Sequence, residues 1–385
     1  MKRSRALEQH IAVFGESGSG KTVMLSSFYG AAQEPEYLRE NLFHVVAEDF
    51  GQGNRLHRNY LGMKNAVQLP EHNRFSATSY SFSVKLDDGA SAEAKKHRPF
   101  DALRLVWHDY PGEWFEEDVS GPEEAQRRVN AFRSLLSSDI ALLLVDGQRL
   151  LDHAGEEERY LKSLFTNFRN GLLSLSDDLL EEDKSISEFP RIWIMVLSKS
   201  DLMPDMNVFA FRDLLVEKAA DDVEELRKVI AGLVESGEAL SVGEDFMLIS
   251  SARFEPGRIE VSNRVGLELI LPLAALLPFE RHVRWAQLKL LPGRTGEKLV
   301  AKGAVPVMAA ALLGLKFKPA GKIGLLLGLL NPEAIGKAAD LAGDRLKALN
   351  ADALARRDYL KATLTQFKID LEKAEEQRIF LRSPR

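Results

Sequence analysis

The stretch GESGSGKT, residues 15–22, follows directly on the apolar run Ile11–Phe14. A glycine, four further residues and then Gly-Lys-Thr make a phosphate cradle when a strand leads in and a helix leads out. Gly15, Gly18 and Gly20 let the backbone turn tightly enough to aim its N–H groups at phosphate oxygens. The start of the following helix adds the positive end of its dipole. Lys21 has the reach for β- and γ-phosphates, and the Thr22 hydroxyl is placed to ligate Mg²⁺. Ser17 and Ser19 lie within the loop and belong with these five among the phosphate-binding positions. Ile11–Phe14 reads as a buried strand and Lys21–Tyr29 as the helix after it, which is the context the cradle needs.

Working outward, apolar runs alternate with helical stretches, the pattern of an α/β fold around a mostly parallel sheet. The runs are Ile11–Phe14, Thr78–Leu86, Leu103–His108, Ile140–Val145, Arg191–Leu197 and Phe246–Ile249, so six strands are predicted. Thr78–Leu86 alternates apolar and polar residues, as a half-exposed strand does, whereas Ile140–Val145 is apolar throughout and reads as central. Glu156–Leu173 carries an amphipathic stripe (Leu161, Leu164, Phe165, Phe168, Leu172). Val208–Leu233 and Val265–Leu291 also read as helices, the second disturbed by Pro272 and Pro278.

The composition narrows the field of functions. The chain has 385 residues, 45% of them hydrophobic, a formal charge of −6 and no cysteine. That length supports a large core, and thiolate catalysis, disulfides and cysteine-metal sites are excluded. The net charge gives no argument for nucleic acid, and the short cluster Lys95–Arg98 reads as a solvated loop. The N-terminus is basic without the apolar core of a secretory signal, so a cytoplasmic location is expected.

Three further pieces follow the cradle in order. In "LRLVWHDYPGEW" a strand ends in Asp109, with Gly112 three residues on. Asp109 is a Mg²⁺ ligand candidate, and the Gly112 N–H can meet a γ-phosphate and lose it on hydrolysis. In "IMVLSKSDLM" a strand runs into Ser198, Lys199 and Asp201. A carboxylate at Asp201 can accept both hydrogens of guanine N1 and N2, which adenine does not offer. In "MLISSARF", Ser251 and Ala252 form a loop whose backbone N–H can meet guanine O6.

Together these pieces resemble the nucleotide-binding elements of a TRAFAC-class, Ras-like P-loop GTPase, over roughly residues 11–253. "DYPGEW" is similar in particular to the bacterial YcjX-like group. The resemblance implies a P-loop NTPase fold that binds GTP or GDP with Mg²⁺ and hydrolyses GTP, with Lys21, Gly112 and Glu113 as catalytic candidates. Glu113 stands where Ras-like enzymes commonly use glutamine. A carboxylate there can accept a proton from the attacking water, and it can equally repel a γ-phosphate. Switch I of the class supplies a threonine to Mg²⁺, and Thr78 stands in the right place, either in that role or as a strand-start hydroxyl. Residues 33–76 are longer than a minimal switch I and read as an insertion. Arg127 and Arg128 are expected to be surface charges, and His57, His72 and His108 to be solvated or packed.

Composition changes at Pro292–Gly293, so residues 1–291 read as the nucleotide domain and 292–385 as a helical C-terminal segment. Within it, 299–330 is rich in Gly, Ala and Leu, in two apolar pieces each too short to span a bilayer. Leu360, Leu364, Phe367, Leu371 and Ala374 read as one apolar face of a helix docked on its own protein. The leading expectation is a GTP-hydrolysing switch that meets a protein partner through its switch loops or C-terminal helices and binds no nucleic acid. The alternative is a GTP-controlled effector working through 299–330 at a membrane surface or in a homo-oligomer. An ATPase or small-molecule kinase is disfavoured by Ser198–Asp201.

Overall fold

A computed structural model describes residues 6–70, 78–87, 89–97, 102–115, 121–180, 192–234, 240–287 and 343–383. The apolar segment 299–330 therefore lies outside the described residues. The strands are β1 (Ala6–Phe14), β2 (Phe43–Ala47), β3 (Thr78–Leu86), β4 (Ala102–Asp109), β5 (Ile140–Asp146), β6 (Ile192–Ser198), β7 (Ser241–Leu248), β8 (Arg253–Glu255), β9 (Arg258–Glu260) and β10 (Phe380–Leu381). The helices between the early strands are α1 (Lys21–Ala31), α2 (Pro35–Glu40), α3 (Phe50–Ala66), α4 (Ala92–His97), α5 (Pro122–Leu136) and α6 (Gly147–Asp152). Then come α7 (Glu157–Ser174), α8 (Ser176–Leu179), α9 (Val208–Leu233), α10 (Ile270–Gln287), α11 (Gly343–Ala355) and α12 (Tyr359–Glu376).

One sheet runs β10-β7-β6-β5-β1-β4-β3-β2, and β8–β9 is a separate hairpin. The five strands from β7 to β4 are parallel, while β3, β2 and β10 pair antiparallel at the two ends. β5 and β6 are buried along their whole length, because helices cover both faces of the sheet centre. β3 alternates, sending Tyr80, Phe82 and Val84 inward. α9 runs over the predicted span and kinks at Ala219 (φ −147°, ψ 19°). Pro278 lies inside α10.

The main sheet has eight strands among the described residues, not the predicted six. The additional strands are β2 and β10, of five and two residues, both edge strands paired on one side only. Neither carries a run long enough to stand out from flanking polar residues. β1 also begins earlier than Ile11, because Glu8 and His10 face a polar side of the sheet while Leu7 packs on the core.

Two hydrophobic cores sandwich the sheet. One joins α1, α10 and α12 to β1, β3 and β4; the other joins α5, α7 and α9 to β5, β6 and β7. The C-terminal segment is therefore not wholly helical, and part of it lies within the first core: Leu360, Leu364, Phe367, Leu371 and Phe380 are buried beside Ile11 and Val13. A third, small cluster ties Tyr60 and Met63 of α3 to Ala252, Ile259 and Val261. The 33–76 segment thus contributes an edge strand, a helix packed on α1 and a brace for the β8–β9 hairpin. Among the described residues, no helix is long and apolar enough to cross a membrane.

Candidate functional site

The parallel strands β1, β4, β6 and β7 all point their C-terminal ends at one cavity of about 410 Å³. That is where ligands bind in open α/β sheets. Ser17, Gly18, Ser19, Gly20, Lys21 and Thr22 line it from the loop after β1. Asp109, Gly112 and Glu113 come from the end of β4, Ser198, Lys199 and Asp201 from β6, and Ser251 and Ala252 from β7. Two predicted residues do not line it. Gly15 lies behind the loop, and Thr78 opens β3 in register with Asp109 but outside the cavity wall.

The loop turns through left-handed conformations at Gly18 (φ 80°) and Gly20 (φ 94°), which a side chain would strain. The Lys21 ammonium donates to the carbonyls of Gly15 (2.6 Å) and Glu16 (3.0 Å), so it is held at the cavity floor. Tyr110, Gly112 and Glu113 tie the segment after β4 to this loop. The Tyr110 hydroxyl accepts from the Gly15 N–H at 2.8 Å, and the Lys21 ammonium sits 5.3 Å from its ring centre. Gly112 packs so closely that a Cβ there would lie 2.3 Å from the Ser17 nitrogen. The Ser17 hydroxyl donates to Glu113 Oε1 at 2.9 Å.

Asp109 is 5% exposed, and its Oδ1 is buried without a hydrogen-bond partner. Burial pushes its pKa up to about 6, against the pull of the Lys21 charge and the Tyr110 backbone N–H. An orphaned carboxylate oxygen in the cavity wall beside the glycine-rich loop fits a divalent cation, with Asp109 and the Thr22 hydroxyl as the protein's donors. No cluster of three His, Cys, Asp or Glu among the described residues offers a protein-only metal site.

At the other end, Lys199 adopts φ 52° and its ammonium donates to Asp146 Oδ2 at 2.8 Å. Asp146 also caps α6, accepting from the Gln148 N–H at 2.9 Å. Gly147 permits this packing, since a Cβ there would lie 2.7 Å from the Ser198 carbonyl oxygen. The Ser198 hydroxyl donates to the Val145 carbonyl at 3.3 Å, and Ser250 donates to Asp201 Oδ1 at 2.7 Å. The loops after β6 and β7 are thereby pinned to β5 and to each other.

Several contributors were not foreseen from the sequence. Arg149 of α6 donates to Glu16 Oε2 (2.6 Å) and to the Ser17 carbonyl (3.2 Å), bracing the loop from outside. Leu69 and Phe254, 58% and 44% exposed, line the cavity from the 33–76 segment and the β8–β9 hairpin. Only Asp146-Gly147, at the end of the most apolar strand, carried a signal that reading could have used. Arg128 is not a surface charge. It is 5% exposed, donates to the Trp114 carbonyl and to Glu124 Oε1 (both 2.8 Å), and lies over the Trp114 ring. It thereby fixes the 3₁₀ turn Gly112–Phe115 to α5. His108 is packed as expected, stacked on His10, and burial followed by the His10 charge pushes its pKa down to about 4. His72 lies outside the described residues.

No protein-family model and no curated protein matches this chain. Among solved structures it is similar to the signal recognition particle receptor SRb-GTP/SRX complex from Chaetomium thermophilum. The identity is 15%, over 63% of this chain and 90% of that one, with a TM-score of 0.32. At that score the likeness carries no argument, so the functional reading rests on the cavity itself.

Proposed function

We propose that this protein is a Mg²⁺-dependent GTPase of the Ras-like P-loop class, its switch segment of the kind seen in the YcjX-like group. The carrying observation is a single cavity with a phosphate loop at one end and the Lys199, Asp201 and Ser251–Ala252 group at the other. Lys21 would neutralise phosphate charge, Thr22 and Asp109 would hold Mg²⁺, and the ion would offset charge on the phosphates. Asp201 would accept from both guanine donors, and adenine would leave that carboxylate unmatched. The Gly112 N–H would sense a γ-phosphate and release it after hydrolysis. Residues 1–291 would form the nucleotide domain. Residues 292–385 would extend it, with α12 and β10 returning to its core. A protein partner would meet the switch segment or the C-terminal helices.

Calorimetric binding of GDP, a non-hydrolysable GTP analogue and the matching ATP analogue tests the reading, with Mg²⁺, on wild type and Asp201→Asn. Guanine binding that weakens by about 100-fold in the variant is the expected result, from the lost charge and one acceptor replaced by an NH2 donor that faces a guanine donor. Equal or stronger binding of the ATP analogue would refute it.

A further inference from the structure

We infer that Glu113 is a specificity-determining residue that makes the phosphate end of this cavity favour a nucleoside diphosphate over a triphosphate. The inference rests on the guanine-nucleotide reading above and adds what that site prefers.

A γ-phosphate that ties the loop to the switch segment has to enter between them, and here the two are already in contact. Gly112 lies against the backbone of Glu16 and Ser17, at distances where even one added carbon would meet Glu16 C at 2.5 Å and Ser17 N at 2.3 Å. A phosphate oxygen needs about 2.9 Å from a nitrogen donor, with its phosphorus and remaining oxygens beyond. On this inference the contact marks a closed arrangement, and the switch segment withdraws to admit a third phosphate. Glu113 opposes that withdrawal, because its carboxylate takes the Ser17 hydroxyl at 2.9 Å from within the same cavity wall. The carboxylate meets the loop as an anionic ligand does, by accepting from a loop donor. Two neighbours hold the closed arrangement. Tyr110 grips the Gly15 N–H at 2.8 Å, and Arg128 anchors the Trp114 carbonyl at 2.8 Å.

Two separable effects follow. The Ser17–Glu113 hydrogen bond must break for the triphosphate and can persist beside a diphosphate. The Glu113 charge also repels a γ-phosphate that carries charge of the same sign, in a site partly screened from water. Glu113→Ala removes both effects, Glu113→Gln removes the charge and keeps an acceptor, and Ser17→Ala removes the bond and keeps the charge.

The test is the ratio of dissociation constants for the non-hydrolysable GTP analogue and GDP, measured with Mg²⁺ by calorimetry. Thermal midpoints serve as the control for folding. Glu113→Ala should tighten the GTP analogue relative to GDP by about tenfold or more, the scale of one charge-assisted hydrogen bond. GDP affinity is measured alongside, and the ratio of the two constants is the readout. Glu113→Gln and Ser17→Ala should each recover part of that change. An unchanged ratio in Glu113→Ala, with GDP still bound, would overturn the inference and leave the nucleotide reading intact. A ratio that moves the other way would do the same and would point to Glu113 as a γ-phosphate-side contributor. Failure of the wild type to bind GDP at all would overturn the reading and the inference with it.

Discussion

Replacing Asp109 with asparagine should stabilise the nucleotide-free protein near neutral pH, and the gain should vanish in acid. Asp109 is buried, with one oxygen left without a partner, and burial raises its pKa from 3.8 to about 6. Between those two values the folded state binds more protons than the unfolded chain. Stability from this group is therefore fully present below about pH 4 and is lost as pH rises through about 6. A shift of roughly two pKa units, at about 1.36 kcal/mol each, gives about 3 kcal/mol as the upper limit of the penalty. Asparagine has the same shape and no charge to desolvate. Urea unfolding of both proteins from pH 4 to pH 8, with chelator and without nucleotide, checks this. The two should coincide near pH 4 and separate to as much as about 3 kcal/mol above pH 7, with the variant the more stable. Mg²⁺ and GDP should then narrow or reverse the gap, because ligand that binds the folded wild type stabilises it by mass action. A variant no more stable than wild type at pH 7.5, or a gap that persists unchanged at pH 4, would refute the reasoning.

Gly112→Ala places a carbon within 2.3 Å of the Ser17 backbone nitrogen, so the turn after β4 must move. A lower thermal midpoint is expected, from a loss of about 1–3 kcal/mol. Arg281, 1% exposed, pairs with Asp245, which has no exposure and also takes the Ser383 N–H at 2.8 Å. Arg281→Ala leaves that carboxylate buried without its cation, and unfolding in urea should show a loss of about 3–5 kcal/mol. Arg281→Lys should restore part of it.

The parts legible in the sequence are those where chemistry or burial constrains residue type over a continuous stretch. The loop 15–22 needs glycine where φ is positive, and Gly18 and Gly20 have that geometry. β5 read as central because both of its faces are covered, so Ile140–Val145 is apolar throughout. β2 and β10 were hidden for the opposite reason: an edge strand of two to five residues needs no long apolar run, only a neighbour to pair with. Arg128 misled because charge predicts exposure on average: its i,i+4 spacing from Glu124 was legible, but nothing in EEAQRRV says that it also meets the Trp114 carbonyl. Arg149 and Phe254 reach the site through tertiary contact alone, which residue spacing does not encode.

The C-terminal return explains how an apparent appendage bears on the cavity. Phe367 meets Phe43 edge-on with ring centres 5.5 Å apart, and Leu371 is fully buried, so α12 closes the core beneath β1 and β4. Glu280 of α10 pairs with Lys368 at 3.2 Å and with Arg382, which also holds Glu375 at 2.9 Å. These buried pairs fix β10 against β7, where Phe380 lies opposite Met247. The Leu248 N–H donates to the Ile379 carbonyl at 2.9 Å, and two residues beyond Leu248 the Ser250 hydroxyl holds Asp201. The loop that holds Asp201 through Ser250 thus follows a strand whose outer edge is paired by β10. If the C-terminal segment carries the output of the nucleotide site, the connection is one strand pairing long. It begins at Asp201, the carboxylate proposed above to meet the base, rather than at the loop 15–22.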